Sequence, residues 1–376
     1  EEKKTQFVIV SWLDAGGEKE IVAEYLGRWL QKYPEEKESE FVIVSWLNAG
    51  GEKEIVEEYM KGWLRRFPEE MEVSFVITSW LDAGGKREIV RAPLNHWLER
   101  YPLKVETHFV IKAWLDAGGD IRTVEAYIKQ WLQQYPEEIE AHFVLKAWLD
   151  AGGNKEDVEA YLVRWLDKFP DRVEADFLIV GWLKAGGNKY VVEKYIKIWL
   201  QQFPERMEVS FVIKAWLSAG GTRELVEVYL KRWLKKYPQE KDTQFMIVAW
   251  LDSGGDKQDV YPYITNWLKK FPEEKETQFL IVSWLDAGGE KEVVEDYLKG
   301  WLKKYPEEKE VSFVIKSWLD ASGKKEVVEE YLQTWLNKYP EEKEVSFVIS
   351  AWLDAGGDKH AIQPHMIRWL KKFPEE

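Results

Sequence analysis

Trp12-Leu13-Asp14-Ala15-Gly16-Gly17 returns, almost letter for letter, every 34 residues, eleven times along the 376-residue chain. Two glycines after an apolar helical pattern form a stop signal, because glycine adopts the left-handed backbone that closes a helix. Each copy therefore marks a turn between two helices. A fixed period of this length overrides the two or three domains that chain length alone suggests and predicts a stacked array. The repeats start at Phe7, Phe41, Phe75, Phe109, Phe143, Phe177, Phe211, Phe245, Phe279, Phe313 and Phe347. Positions below are counted from that phenylalanine as 1, over a single repeat domain spanning residues 1–376.

In the second repeat, Phe41-Val42-Ile43-Val44-Ser45-Trp46-Leu47-Asn48-Ala49-Gly50-Gly51 predicts the first helix and its stop. Its start is expected near the proline closing the preceding repeat, with Glu35-Glu36 or Glu69-Glu70 complementing the helix dipole. Apolar positions 2, 3, 6, 7 and 9 make its burying stripe. A second helix is expected from about position 12 to 26, with Val56, Tyr59, Met60, Trp63, Leu64 and Phe67 on one face. The aromatic-proline pair ends it, since the residue before proline avoids helical angles. Neither helix can bury its stripe alone, so stability must come from neighbouring repeats. The 22 tryptophans, two per repeat, fall within these stripes and read as core. Position 1 lies off the main stripe, and position 5 on the same flank is always Ser, Ala or Gly, as at Ala215. The expectation is that each phenylalanine packs between successive first helices beside that small residue.

The period, the helix pair and the turn Pro34-Glu35-Glu36-Lys37-Glu38 resemble tetratricopeptide repeats. Aligned on the proline, Gly17 and Gly51 fall on that family's turn glycine, and Val22 and Val56 on its small mid-helix residue. Trp29 and Trp63 stand where the family has a close-packing alanine, and its first-helix glycine is missing, so the chain looks like a tetratricopeptide-like solenoid and not a standard member. The resemblance implies a right-handed superhelix, an all-α solenoid of eleven helix-turn-helix repeats, with first helices on the inner face. The RNA-binding pentatricopeptide family is the next nearest resemblance.

Comparing the copies with each other locates the variation. Positions 1, 6, 7, 11, 23, 24 and 28 never change. Position 4 reads Val10, Val44, Thr78, Lys112, Lys146, Val180, Lys214, Val248, Val282, Lys316 and Ser350. The residue four earlier also varies, His108 and His142 included, and position 8 departs from aspartate at Asn48, Lys184 and Ser218. Residues four apart share a helix face, so these form a candidate first-helix binding ridge. A second-helix ridge at positions 18 and 22 includes Ala92, His96, Gln130, Arg164, Lys194, Ile198, Val228, Arg232, Pro262, Asn266, Thr334, Pro364 and Arg368. Gly62 and Gly300 lie on it and Pro93 beside it, although glycine and proline weaken helices. Positions 13 and 14, equally exposed in the helical pattern, stay mostly Lys and Glu. A fixed frame with exchanged surface residues is what a family of binders, natural or engineered, would show.

The expected function is therefore non-catalytic binding of a protein or peptide. The other readings are a modular binder of single-stranded nucleic acid and a structural scaffold without a ligand. A net charge of −14 disfavours nucleic acid and anionic membrane as partners. No run of 18 apolar residues predicts a membrane span, and Glu1-Glu2-Lys3-Lys4 lacks the apolar core of a signal peptide. The absence of cysteine excludes disulfides and thiol chemistry; the cytoplasm is the favoured compartment. His108 and His142, equivalent in adjacent repeats, are read as solvated ridge residues rather than metal ligands, and no cofactor is expected. The aspartates at position 8 recur too often to be a catalytic pair, and the Gly-Gly turns lack the Lys-Ser/Thr of a phosphate loop. No strongly polar cap closes the array, so end-to-end self-association is a further expectation.

Overall fold

The computed structural model describes residues 5–34, 36–272 and 274–373; the Glu1–Lys4 segment and Glu35 lie outside them. Among the described residues the chain is an α-solenoid, with helices in first and second pairs of 10 and 14 residues in most repeats. Residues 1–195 and 196–376 form two compact units, the division falling inside the helix Lys189–Gln202. Within each unit, successive first helices pack side by side, and second helices pack on the first helix of their own repeat. Several second helices also touch the first helix that follows.

In repeat 2 the first helix is Ser39–Asn48 and the second Lys53–Arg66. The first helix thus begins five residues after Pro34, not at it. Residues 36–38 form part of a turn, and the glutamates there are not first-turn dipole partners. In the corresponding turn of the next repeat the glutamates tie repeats together: Glu69 pairs with Arg100 at 3.1 Å, and Glu70 with Lys37 at 2.7 Å. In repeats 4, 9 and 10 the second helix opens with a short 3-10 turn, as at Ile121–Thr123.

The Gly-Gly turn couples two invariant positions. Gly50 has φ +69°, and Gly51 N–H donates to the Trp46 carbonyl at 2.9 Å, closing the helix. A Cβ on Gly51 would lie 2.1 Å from the Trp46 ring. The ring is held over the glycine because Trp46 Nε1 donates to the Glu52 carbonyl at 2.9 Å. The same tryptophan-to-carbonyl bond, 2.8–3.1 Å long, recurs in ten repeats. Positions 6 and 11 therefore cannot vary independently.

Interfaces between repeats carry periodic polar ties as well. The position-13 cation donates to the position-10 carbonyl of the next repeat, as Lys155 does to Gly186 at 3.2 Å and Lys291 to Ser322 at 2.7 Å. Tyr101, Tyr237 and Tyr339 hydroxyls each donate to a position-29 carbonyl of the preceding repeat, at 2.6–2.9 Å. The constancy of position 13 is thus structural, so it does not mark the varied surface positions as functional by contrast.

The small residues at position 5 are buried in repeats 2 to 11, Ala215 and Ala147 included, while Ser11 in repeat 1 is exposed. The phenylalanines do not fill that space: nine of the eleven are 41–60% exposed. At Gly181 the neighbour is the preceding repeat, where Lys146 Cδ would be 3.0 Å from an added Cβ. The expected knob is therefore a surface feature.

Candidate binding surface

The first helix starts at position 33, so the residue at position 34 sits in its opening turn. There, at His108 and His142, it packs against the position-23 tryptophan of the following repeat, whose first helix it opens. His108 and His142, expected on an exposed ridge, are buried. Their rings lie 5.3 Å from Trp131 and 5.7 Å from Trp165. Each donates from Nδ1 to the carbonyl three residues back, Val105 at 2.5 Å and Ile139 at 2.6 Å. Burial lowers both imidazole pKa values, so both rings are neutral near pH 7. Ser74 and Ser210 spend their hydroxyls the same way, at 2.7 and 2.8 Å. Glu40 and Asp176 are buried at this position too. The variation here tunes packing between helices and leaves the binding ridge.

What the first helix does expose is positions 1, 4 and 8. At position 4, Val10, Val44, Thr78, Lys112, Lys146, Val248, Val282 and Lys316 are partly exposed, and Lys214 and Ser350 are exposed. Val180 is buried, a second departure from the expected ridge. Asn48, Lys184 and Ser218 are exposed at position 8. Lys112, Lys146 and Lys316 pair with Asp116, Asp150 and Asp320, one helical turn on. Lys214, which has Ser218 at that place, instead sets Nζ 4.2 Å from the centre of the Phe245 ring in the next repeat. The exposed phenylalanines run between these side chains; Phe313 and Phe347 are 5.7 Å apart, centre to centre. Sequence reasoning missed this aromatic row as a surface feature; the one sequence signal for it is that position 1 lies off the apolar stripe.

The second-helix ridge is exposed as expected, from Ala92, His96, Gln130, Arg164, Ile198 and Val228 to Arg232, Pro262, Asn266, Pro364 and Arg368, with Thr334 partly exposed. Lys194 is bound to Asp167 at 2.8 Å, which pushes its pKa up to about 12. The helices run unbroken through Pro93, Pro262 and Pro364. At Gly300 a Cβ would meet nothing within 4 Å. Gly300→Ala is therefore expected to stabilise its repeat by about 1 kcal/mol through helix propensity alone, read as slower amide exchange across Glu295–Lys304.

Among the described residues, no three His, Asp or Glu side chains converge on a metal-sized site. No described helix is long and apolar enough to cross a membrane. Fold and surface together define the class as a helical-repeat protein with an exposed aromatic and charged face. Comparison with known protein families gives no match, and no curated protein is similar to the chain.

Proposed function

We propose that this chain is a non-catalytic repeat scaffold that binds a protein or peptide along its first-helix face. The observation that carries this reading is the invariant phenylalanine, kept about half exposed in repeat after repeat. The other invariant positions have structural reasons: tryptophan and glycine lock the turn, and leucine fills the core. An exposed aromatic at a fixed position leaves apolar surface in water without filling the core, which is the mark of a contact surface. In this reading the phenylalanines supply a common grip, and the exchanged residues at position 4 set the preference. The second-helix ridge ranks below it, because it offers no fixed aromatic. Bases could stack on the phenylalanines, but the position-8 aspartates beside them oppose phosphate, which favours a peptide. Kinship with tetratricopeptide repeats belongs to the same proposal, supported by the period, the helix pair and the placement of Gly17 and Gly51.

The test is display selection of random peptides on the immobilised chain. Selected peptides are expected to lose at least about tenfold in affinity on Phe75→Ala or Phe109→Ala, and little on Arg164→Ala. Peptides that depend on Arg164 and ignore both phenylalanines would overturn the assignment of the face, and a selection that yields none would overturn binding itself.

A further inference from the structure

Asp82 is one of five position-8 aspartates, with Asp14, Asp252, Asp286 and Asp354, whose repeat has no lysine at position 4, and it lines a groove on the first-helix face. Thr78, Asp82, Phe109, Lys112, Ala113 and Phe143 line an open groove of about 220 Å³ across repeats 3 to 5. Phe109 and Phe143 present exposed ring surface to it. In repeats 4 and 5 the position-8 aspartate is neutralised by the lysine one turn before. In repeat 7 the position-4 lysine lies over the next phenylalanine. Repeat 3 has Thr78 at that position, whose hydroxyl is buried without a partner. No hydrogen bond or ion pair reaches the Asp82 carboxylate among the described residues, because Lys112 is held by Asp116. Partial burial raises the Asp82 pKa, the nearby Lys112 charge works against that, and the Asp116 charge adds to it.

We propose that this groove seats one lysine or arginine side chain from an extended basic segment of a partner protein. The cationic head sits between the Asp82 carboxylate and the face of Phe109, and the aliphatic stem runs over Ala113 and Phe143. Lys214 over Phe245 is the same arrangement supplied from within the chain. The overall charge of −14 draws basic segments towards the protein. This inference rests on the first-helix face being the binding face.

The experiment uses the full chain and three fluorescein-labelled dodecapeptides of Gly, Ser and Leu carrying four lysines, four glutamates or no charge, followed by anisotropy at low salt. The lysine peptide is expected to bind at least tenfold tighter than the glutamate peptide. Asp82→Asn should weaken it about fivefold or more. Thr78→Lys should do the same by installing an internal competitor, with helicity unchanged by circular dichroism; Thr78→Ser should bind as the parent does. Equal binding of lysine and glutamate peptides, or affinities within twofold in both Asp82→Asn and Thr78→Lys, would overturn the groove. If the uncharged peptide alone binds, and does so through Phe109, the groove reading fails while the binding face stands. If no peptide binds and display selection is also empty, both fail.

Discussion

Gly85→Ala is expected to cost about 3–5 kcal/mol in its repeat. The added Cβ would stand 2.2 Å from Trp80 Cε2, in a ring that is fully buried. The ring cannot swing aside freely, because Trp80 Nε1 donates to the Lys86 carbonyl at 3.0 Å. Overpacking the ring costs roughly 1–3 kcal/mol and orphaning the buried indole N–H a similar amount. The array is not expected to unfold as one unit, since stability is shared between neighbours. Native-state hydrogen exchange should therefore show the loss concentrated in the helices Val73–Asp82 and Arg87–Arg100. Unchanged protection there would mean that the tryptophan and the glycine are not coupled.

Glu40→Gln is expected to have the opposite sign. Burial raises the Glu40 pKa to about 7 from its usual 4.5, and Oε2 has no hydrogen-bond partner. The folded chain thus holds a proton that the unfolded chain releases between pH 4.5 and 7, so stability falls as pH rises through that window. The penalty is absent below about pH 4.5 and complete above about pH 7, where it reaches roughly 3 kcal/mol. Glutamine removes the titration and fits the site, since Gln6, Gln244 and Gln278 are buried at the same position in other repeats. Amide protection in Ser39–Asn48 should rise in the variant at pH 8 and match the parent near pH 4.5. A gain of equal size at both pH values would remove the buried charge as its cause.

Much of the architecture was legible because it depends on local chemistry repeated many times. The glycine pair ends a helix wherever it occurs, and the aromatic-proline pair ends the next. Apolar spacing correctly placed Val56, Met60, Trp63 and Leu64 in the core. Helix starts were less legible: proline favours a first turn but equally favours the turn before one, and here the chain waits five residues. The exposed part of the second-helix ridge was read correctly, since spacing alone puts positions 18 and 22 opposite the core stripe. Position 34 was misread because helical spacing gives a direction on one helix and says nothing of what lies over its end.

The sequence by itself determined the repeat, the helix pairing, the turns and the buried stripes, all set by backbone preferences and periodicity within about ten residues. Only the tertiary structure decided which off-stripe residues meet water. Packing of one repeat on the next sank His108, His142 and Glu40 and left the phenylalanines in the open. It also gave the position-13 cations a structural bond and left the Asp82 carboxylate without an ion pair of its own, Lys112 being bonded to Asp116. Those outcomes depend on contacts between residues about one repeat apart, where side-chain reach and the cover from a neighbouring helix override the pattern of either helix alone.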